Sequence, residues 1–129
     1  MSPNGIPGIN MESALALYDG DEEIFRSVLE SYSTNTPDAL EKLRDISRQA
    51  VTAEGLRDYT INVHGIKSVS ATVAAEAIVE KAKKLETEAK ELLSGEKIVD
   101  DFSEIQAENE NLIKDIEILV GNILHWLKM

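Results

Sequence analysis

The chain has 129 residues, 43% of them hydrophobic, the size of one domain around one continuous core. It has no cysteine, which excludes disulfides, thiolate zinc sites and a cysteine nucleophile. Its net charge of −11 opposes binding to nucleic acid and to anionic membranes, whose phosphates require a basic surface.

No apolar run approaches the roughly 18 residues of a membrane span, and the amino terminus lacks the basic start and apolar stretch of a signal peptide. A cytoplasmic domain without membrane insertion, monomeric in isolation, is therefore expected. Residues 1–9 hold two of the three prolines and two of the seven glycines, a composition that cannot continue a helix. They read as a flexible tail or linker remnant, as if the piece were cut from a longer chain. The ordered domain is expected over 10–129.

Asn10 can cap a short helix running to Tyr18, with Met11 and Leu15 apolar at helical spacing, and Asp19-Gly20 then makes a turn. Asp21 caps a second helix, whose first turn carries Glu22 and Glu23 near its positive end. Ile24, Val28, Tyr32, Thr36, Leu40, Leu43, Ser47 and Ala50 follow steps of three and four, with Phe25 and Leu29 widening the stripe. The period runs through Pro37, which removes a backbone donor and crowds the carbonyl of Ser33. One kinked helix of about thirty residues is preferred to a restart with Pro37 in its first turn.

A third helix, about Ala53 to Val73, places Leu56, Tyr59, Val63, Ile66, Ser70 and Val73 on one stripe, with Val69 beside it. A fourth, from about Ala75 to Leu93, turns Ile78, Val79, Ala82, Leu85, Ala89 and Leu92 inward and stops at Ser94-Gly95. The fifth repeats Ile98, Phe102, Ile105, Asn109, Leu112, Ile116, Leu119, Ile123 and Trp126 in alternating steps of four and three. Four long amphipathic helices with short connections can bury their stripes only against one another. The expected fold is all-α, an antiparallel up-down-up-down four-helix bundle with a short additional helix at its amino end.

Chemistry concentrates on the third helix. His64 falls outside the apolar stripe, and around it lie Arg57, Ile61, Gly65, Ser68 and Ala71, small or apolar where a solvated face would carry Lys and Glu. Such a face is suited to contact with a partner. Glycine inside a helix costs about 1 kcal/mol against alanine, so Gly65 calls for the close approach of another body. Lys67, three residues on, can bring its ammonium to the space in front of the ring. A surface imidazole is substantially neutral near neutral pH, and its free nitrogen is a competent nucleophile toward phosphorus. Alone, a surface histidine is most simply a solvated polar side chain.

The string H-G-I-K-S-V-S-A-T-V-A-A at 64–75, with K-K-L-E at 83–86, resembles the signature of histidine-containing phosphotransfer domains. The opening I-N-M-E-S-A-L-A-L-Y-D-G-D-E-E-I-F at 9–25 is similar to the first helix and turn of versions attached to hybrid sensor kinases. The resemblance implies that His64 is the phosphoacceptor and Lys67 its charge partner. The partners implied are response-regulator receiver domains, which supply Mg²⁺; the chain itself would hold no metal or cofactor and have no kinase activity of its own. Two positions depart from the pattern, Ser68 and Ala74, each where the family carries glycine. Ser68 is expected to narrow partner choice or to donate a hydrogen bond to the phosphoryl group, and Ala74 to affect packing.

Among other residues, His125 reads as a polar group favouring the negative end of the last helix. Ile61 and Asn122 stand where a di-metal bundle would need glutamates, and Asn109 reads as a register-setting or edge-exposed polar residue, Trp126 as a core or bundle-end filler. The rival class is a helical interaction module that binds a partner without phosphotransfer. An autonomous kinase or phosphatase lacks a glycine-rich nucleotide loop.

Overall fold

A computed structural model describes residues 5–49, 52–95 and 102–128. The protein is all-helical: α1 (Met11–Leu17), α2 (Glu22–Gln49), α3 (Ala53–Ala71), α4 (Glu76–Leu93) and α5 (Phe102–Leu127), with no strand among the described residues. Each start has a local cause. Asn10 Oδ1 accepts from the Ser13 amide, Asp21 Oδ1 from the Ile24 amide, and Thr52 Oγ1 from the Gly55 amide, each satisfying an amide that the first helical turn leaves without a partner. The turn between α1 and α2 places Asp19 and Gly20 in the left-handed region, at φ 54° and 79°.

Helix α2 runs unbroken through Pro37, so the long-helix reading holds. Thr36 and Leu40, buried on either side of the proline, tie both halves to the core, which offsets the missing backbone bond. Packing links the long helices in a closed ring, with α2 against α3 and α5, and α4 against α3 and α5, while α1 lies on α2. Phe25, Leu29, Leu43, Tyr59, Val63, Leu85, Ile105, Leu112, Ile116 and Ile123 fill the centre. Each such side chain, fully buried, contributes on the order of 1.5–3 kcal/mol.

Two readings of the amino-terminal half need correction. Ile24 is half exposed and Phe25, one position on, is buried, so the α2 stripe begins on the Phe25 side. The amino-terminal tail is shorter than expected: Ile6 is buried in the core, the Pro7 carbonyl accepts from Asn122, and Gly8, at φ 94°, passes so close to Leu119 that an added Cβ would crowd it. An apolar side chain beside a proline anchors this strap, because the core gained outweighs the ordering of a few residues. Trp126, expected as a core or bundle-end filler, is half buried against the core at the bundle end. It carries the Arg26 guanidinium over its ring at 5.4 Å while Arg26 also donates to the Leu127 carbonyl, closing the end of α5 onto α2. Ile98 and Ala50 lie outside the described residues.

Asn109 is fully buried and accepts from the Tyr59 hydroxyl at 2.9 Å, so it joins α5 to α3 inside the core instead of at an edge. Burial, with Glu88 and Glu108 nearby, pushes the Tyr59 hydroxyl far above its usual range and keeps it a donor. Between α3 and α4, Ala74 adopts φ 56°, a conformation that glycine enters without strain, and its carbonyl accepts from the Asn10 amide. The departure from glycine at this position thus acts on backbone strain as well as packing.

Candidate functional site

The outward sector of α3 carries every site residue named from the sequence. Arg57, Ile61, His64, Gly65, Ser68 and Ala71 are all exposed, with Ile61 69% accessible. An added Cβ at Gly65 would meet nothing among the described residues, so no packing between them requires glycine there. On the α2 side the sector ends at Val69 and Thr72, which face Ile24 and Val28 across a groove of about 470 Å³. On the α4 side it ends at Lys67.

His64 is 56% exposed, and its Nδ1 lies 2.6 Å from Glu86 Oε2. Glu86 belongs to α4 and is only 5% accessible. Lys67 Nζ donates to Glu86 Oε1 at 2.6 Å, and Lys90 Nζ stands 3.4 Å from Oε2. A carboxylate out of water costs several kcal/mol unless paired. Burial pushes Glu86 up, but hydrogen bonds from Lys67 and His64, with the charges of Lys67 and Lys90, outweigh it and hold the group at about 2. Glu86 is therefore ionised at neutral pH and can only accept. The proton of the neutral imidazole then sits on Nδ1, and the lone pair is on Nε2, which has no hydrogen-bond partner among the described residues.

No protein-family model, curated protein or solved structure matches this chain. The geometry therefore carries the functional argument.

Lys67 is placed differently from the sequence expectation. Its side chain is only 26% exposed and its ammonium is on Glu86, on the Nδ1 side of the ring, not in front of Nε2. Glu86 entered the sequence reading only as the last residue of the K-K-L-E string, without a role, and Lys90 did not enter it. A signal existed: Ala82, Glu86 and Ala89 follow steps of four and three on the inward face of α4, and the two alanines leave room for a carboxylate between them. His125 is exposed near the end of α5 with no side-chain partner among the described residues. Among the described residues no group of three or more His, Cys, Asp or Glu is arranged to hold a metal ion.

Proposed function

We propose that this chain is a histidine phosphocarrier, accepting a phosphoryl group from the aspartyl phosphate of a receiver domain onto His64 and passing it to another receiver. The observation that carries the reading is the exposed imidazole whose Nδ1 is bound to a buried, ionised Glu86, which leaves Nε2 as the nucleophile.

In the acceptance step the Nε2 lone pair attacks phosphorus, the N–P bond forms, and the P–O bond to the receiver's aspartate breaks to release its carboxylate. No proton has to leave. The ring keeps Nδ1–H, takes up positive charge, and delivers that charge against the Glu86 carboxylate at 2.6 Å. The return step is the reverse, with a second aspartate as nucleophile. Mg²⁺ held by the receiver would meet most of the charge on the transferring oxygens, so positioning is the main demand on this chain. A helix of the receiver lies against Ile61, Gly65, Ser68 and Ala71, where Gly65 permits close approach.

The bundle topology belongs to the same proposal. Pairs that meet across the helices, His64 with Glu86, Tyr59 with Asn109 and Ser47 with Gln106, fit an up-down-up-down order of α2 to α5.

The test is incubation with a phosphorylated receiver domain, reading acid-labile, base-stable phosphate on this chain. Wild-type protein acquires it and His64→Gln, with its helical circular dichroism unchanged, does not. Equal labelling of both rejects the site, and binding of a receiver without any labelling favours a pure interaction module.

A further inference from the structure

The site presents two ammonium groups to one carboxylate, and they are held unequally. Lys67 rises from α3, is three-quarters buried, and makes a 2.6 Å bond to Oε1. Lys90 stands on α4 one turn beyond Glu86, is 63% exposed, and approaches Oε2 only to 3.4 Å. His64 Nδ1 already donates to that same Oε2. Removing Lys67 would leave Oε1 of a buried carboxylate without its hydrogen bond, whereas Lys90 can leave with both oxygens still bonded. Because Lys90 Nζ and His64 Nδ1 meet at one oxygen, their separation is no more than the two contact distances together. The flexible four-carbon stem can therefore carry the ammonium toward the other edge of the ring.

We propose that Lys90 is the ammonium that moves onto the phosphoryl group of phosphorylated His64, while Lys67 stays on Glu86 as a fixed positioning residue. This rests on the phosphocarrier reading above and reassigns the charge partner within it. A phosphoryl group on Nε2 brings close to two negative charges to the protein surface, and a second anion beside Glu86 is favourable only if a cation is free to meet it. Lys90 is that cation, since its departure leaves Glu86 paired with Lys67 and with the ring, which becomes positive on phosphorylation. Lys83 stands on the same side of α4, one turn before Glu86, and makes no ion pair among the described residues, which makes it a control for charge alone.

The experiment compares the rate of phosphoryl acceptance from one phosphorylated receiver, and the final distribution of label, for wild type, Lys90→Met, Lys90→Arg, Lys67→Met and Lys83→Met. Lys90→Met is expected to slow acceptance by about tenfold and to shift the label back toward the receiver, the loss expected for one charge-assisted contact. Its urea midpoint should stay near wild type, and Lys90→Arg should restore most of the rate. Lys67→Met should lower the urea midpoint as well as the rate, and Lys83→Met should change neither. Acceptance by Lys90→Met at the wild-type rate, or equal losses in Lys83→Met and Lys90→Met, overturns the assignment while leaving His64 as acceptor. Absence of label on wild type overturns the phosphocarrier reading itself, and this inference with it.

Discussion

His64 and His125 look alike from outside. Both are exposed on a helix, and each has a glycine within one turn, Gly65 and Gly121, where an added Cβ would meet open space. Each also has an exposed isoleucine one to two turns before it, Ile61 and Ile118. The difference lies beneath them. Under His64 is a buried, ionised carboxylate bonded to Nδ1 and to Lys67; His125 has no side-chain partner among the described residues. Exposure makes an imidazole reachable, but a fixed partner on one nitrogen decides which nitrogen reacts and where the resulting charge goes.

The largest test of that contrast exchanges the two histidines. His64→Gln should abolish phosphoryl acceptance, while His125→Gln should leave its rate within about twofold of wild type, the scatter expected for an exposed substitution. Comparable losses in both would remove the distinction. Next in size is Glu86→Gln, which keeps a polar group under the ring but removes its charge and its obligatory acceptor role. Acceptance should fall by roughly ten- to hundredfold, the worth of one charge-assisted hydrogen bond. The same variant sharpens the contrast through pH. Glu86 titrates at about 2 in the folded protein against an ordinary 4.5, so its contribution to stability is complete above about 4.5 and is lost as the pH falls through 2. Acid melts of wild type should therefore lose stability more steeply in that window than melts of Glu86→Gln.

The smallest expected effects separate docking from folding. Gly65→Ala and Gly121→Ala should each stabilise the protein by about 0.5–1 kcal/mol in urea, because each fills open space on a helix. Only Gly65→Ala should slow transfer from a receiver. Slowing by both, or by neither, would mean that the surface beside His64 is no closer to the partner than the surface beside His125.

Most of the fold was legible in the sequence because helical periodicity and caps are local. Asn10 and Asp21, read as caps, each bond the amide three residues on, and the stripe from Leu56 to Val73 is buried at each of its six positions. What escaped depends on tertiary pairing. Ile24 and Phe25 are neighbours of equal apolar character, and only tertiary packing decides between them: Phe25 is buried and stacks on Tyr18, while Ile24 lines an open groove. Ile6 sits among prolines and glycines that conceal an anchor.

The site divides in the same way. His64 and its exposed surroundings could be read from one helix, since all their neighbours lie within two turns. Glu86 is 22 positions away in a helix rich in Lys and Glu; the K-K-L-E string marks its place in the resemblance, but not its burial or its bond to the ring. Its burial follows from the fit of α4 against α3, and the direction of Lys67 follows from Glu86. Sequence spacing placed the lysine within reach of the imidazole; only the structure shows what it is bonded to.

The most direct measurement is nuclear magnetic resonance of uniformly nitrogen-15-labelled protein after phosphorylation by a receiver domain, reading which ring nitrogen is coupled to phosphorus. A phosphorus bonded to Nε2 of His64, with the Nδ1 proton retained, is the predicted result. Phosphorus on Nδ1 of His64 or on any other side chain would contradict the claim that Glu86 fixes the reactive nitrogen.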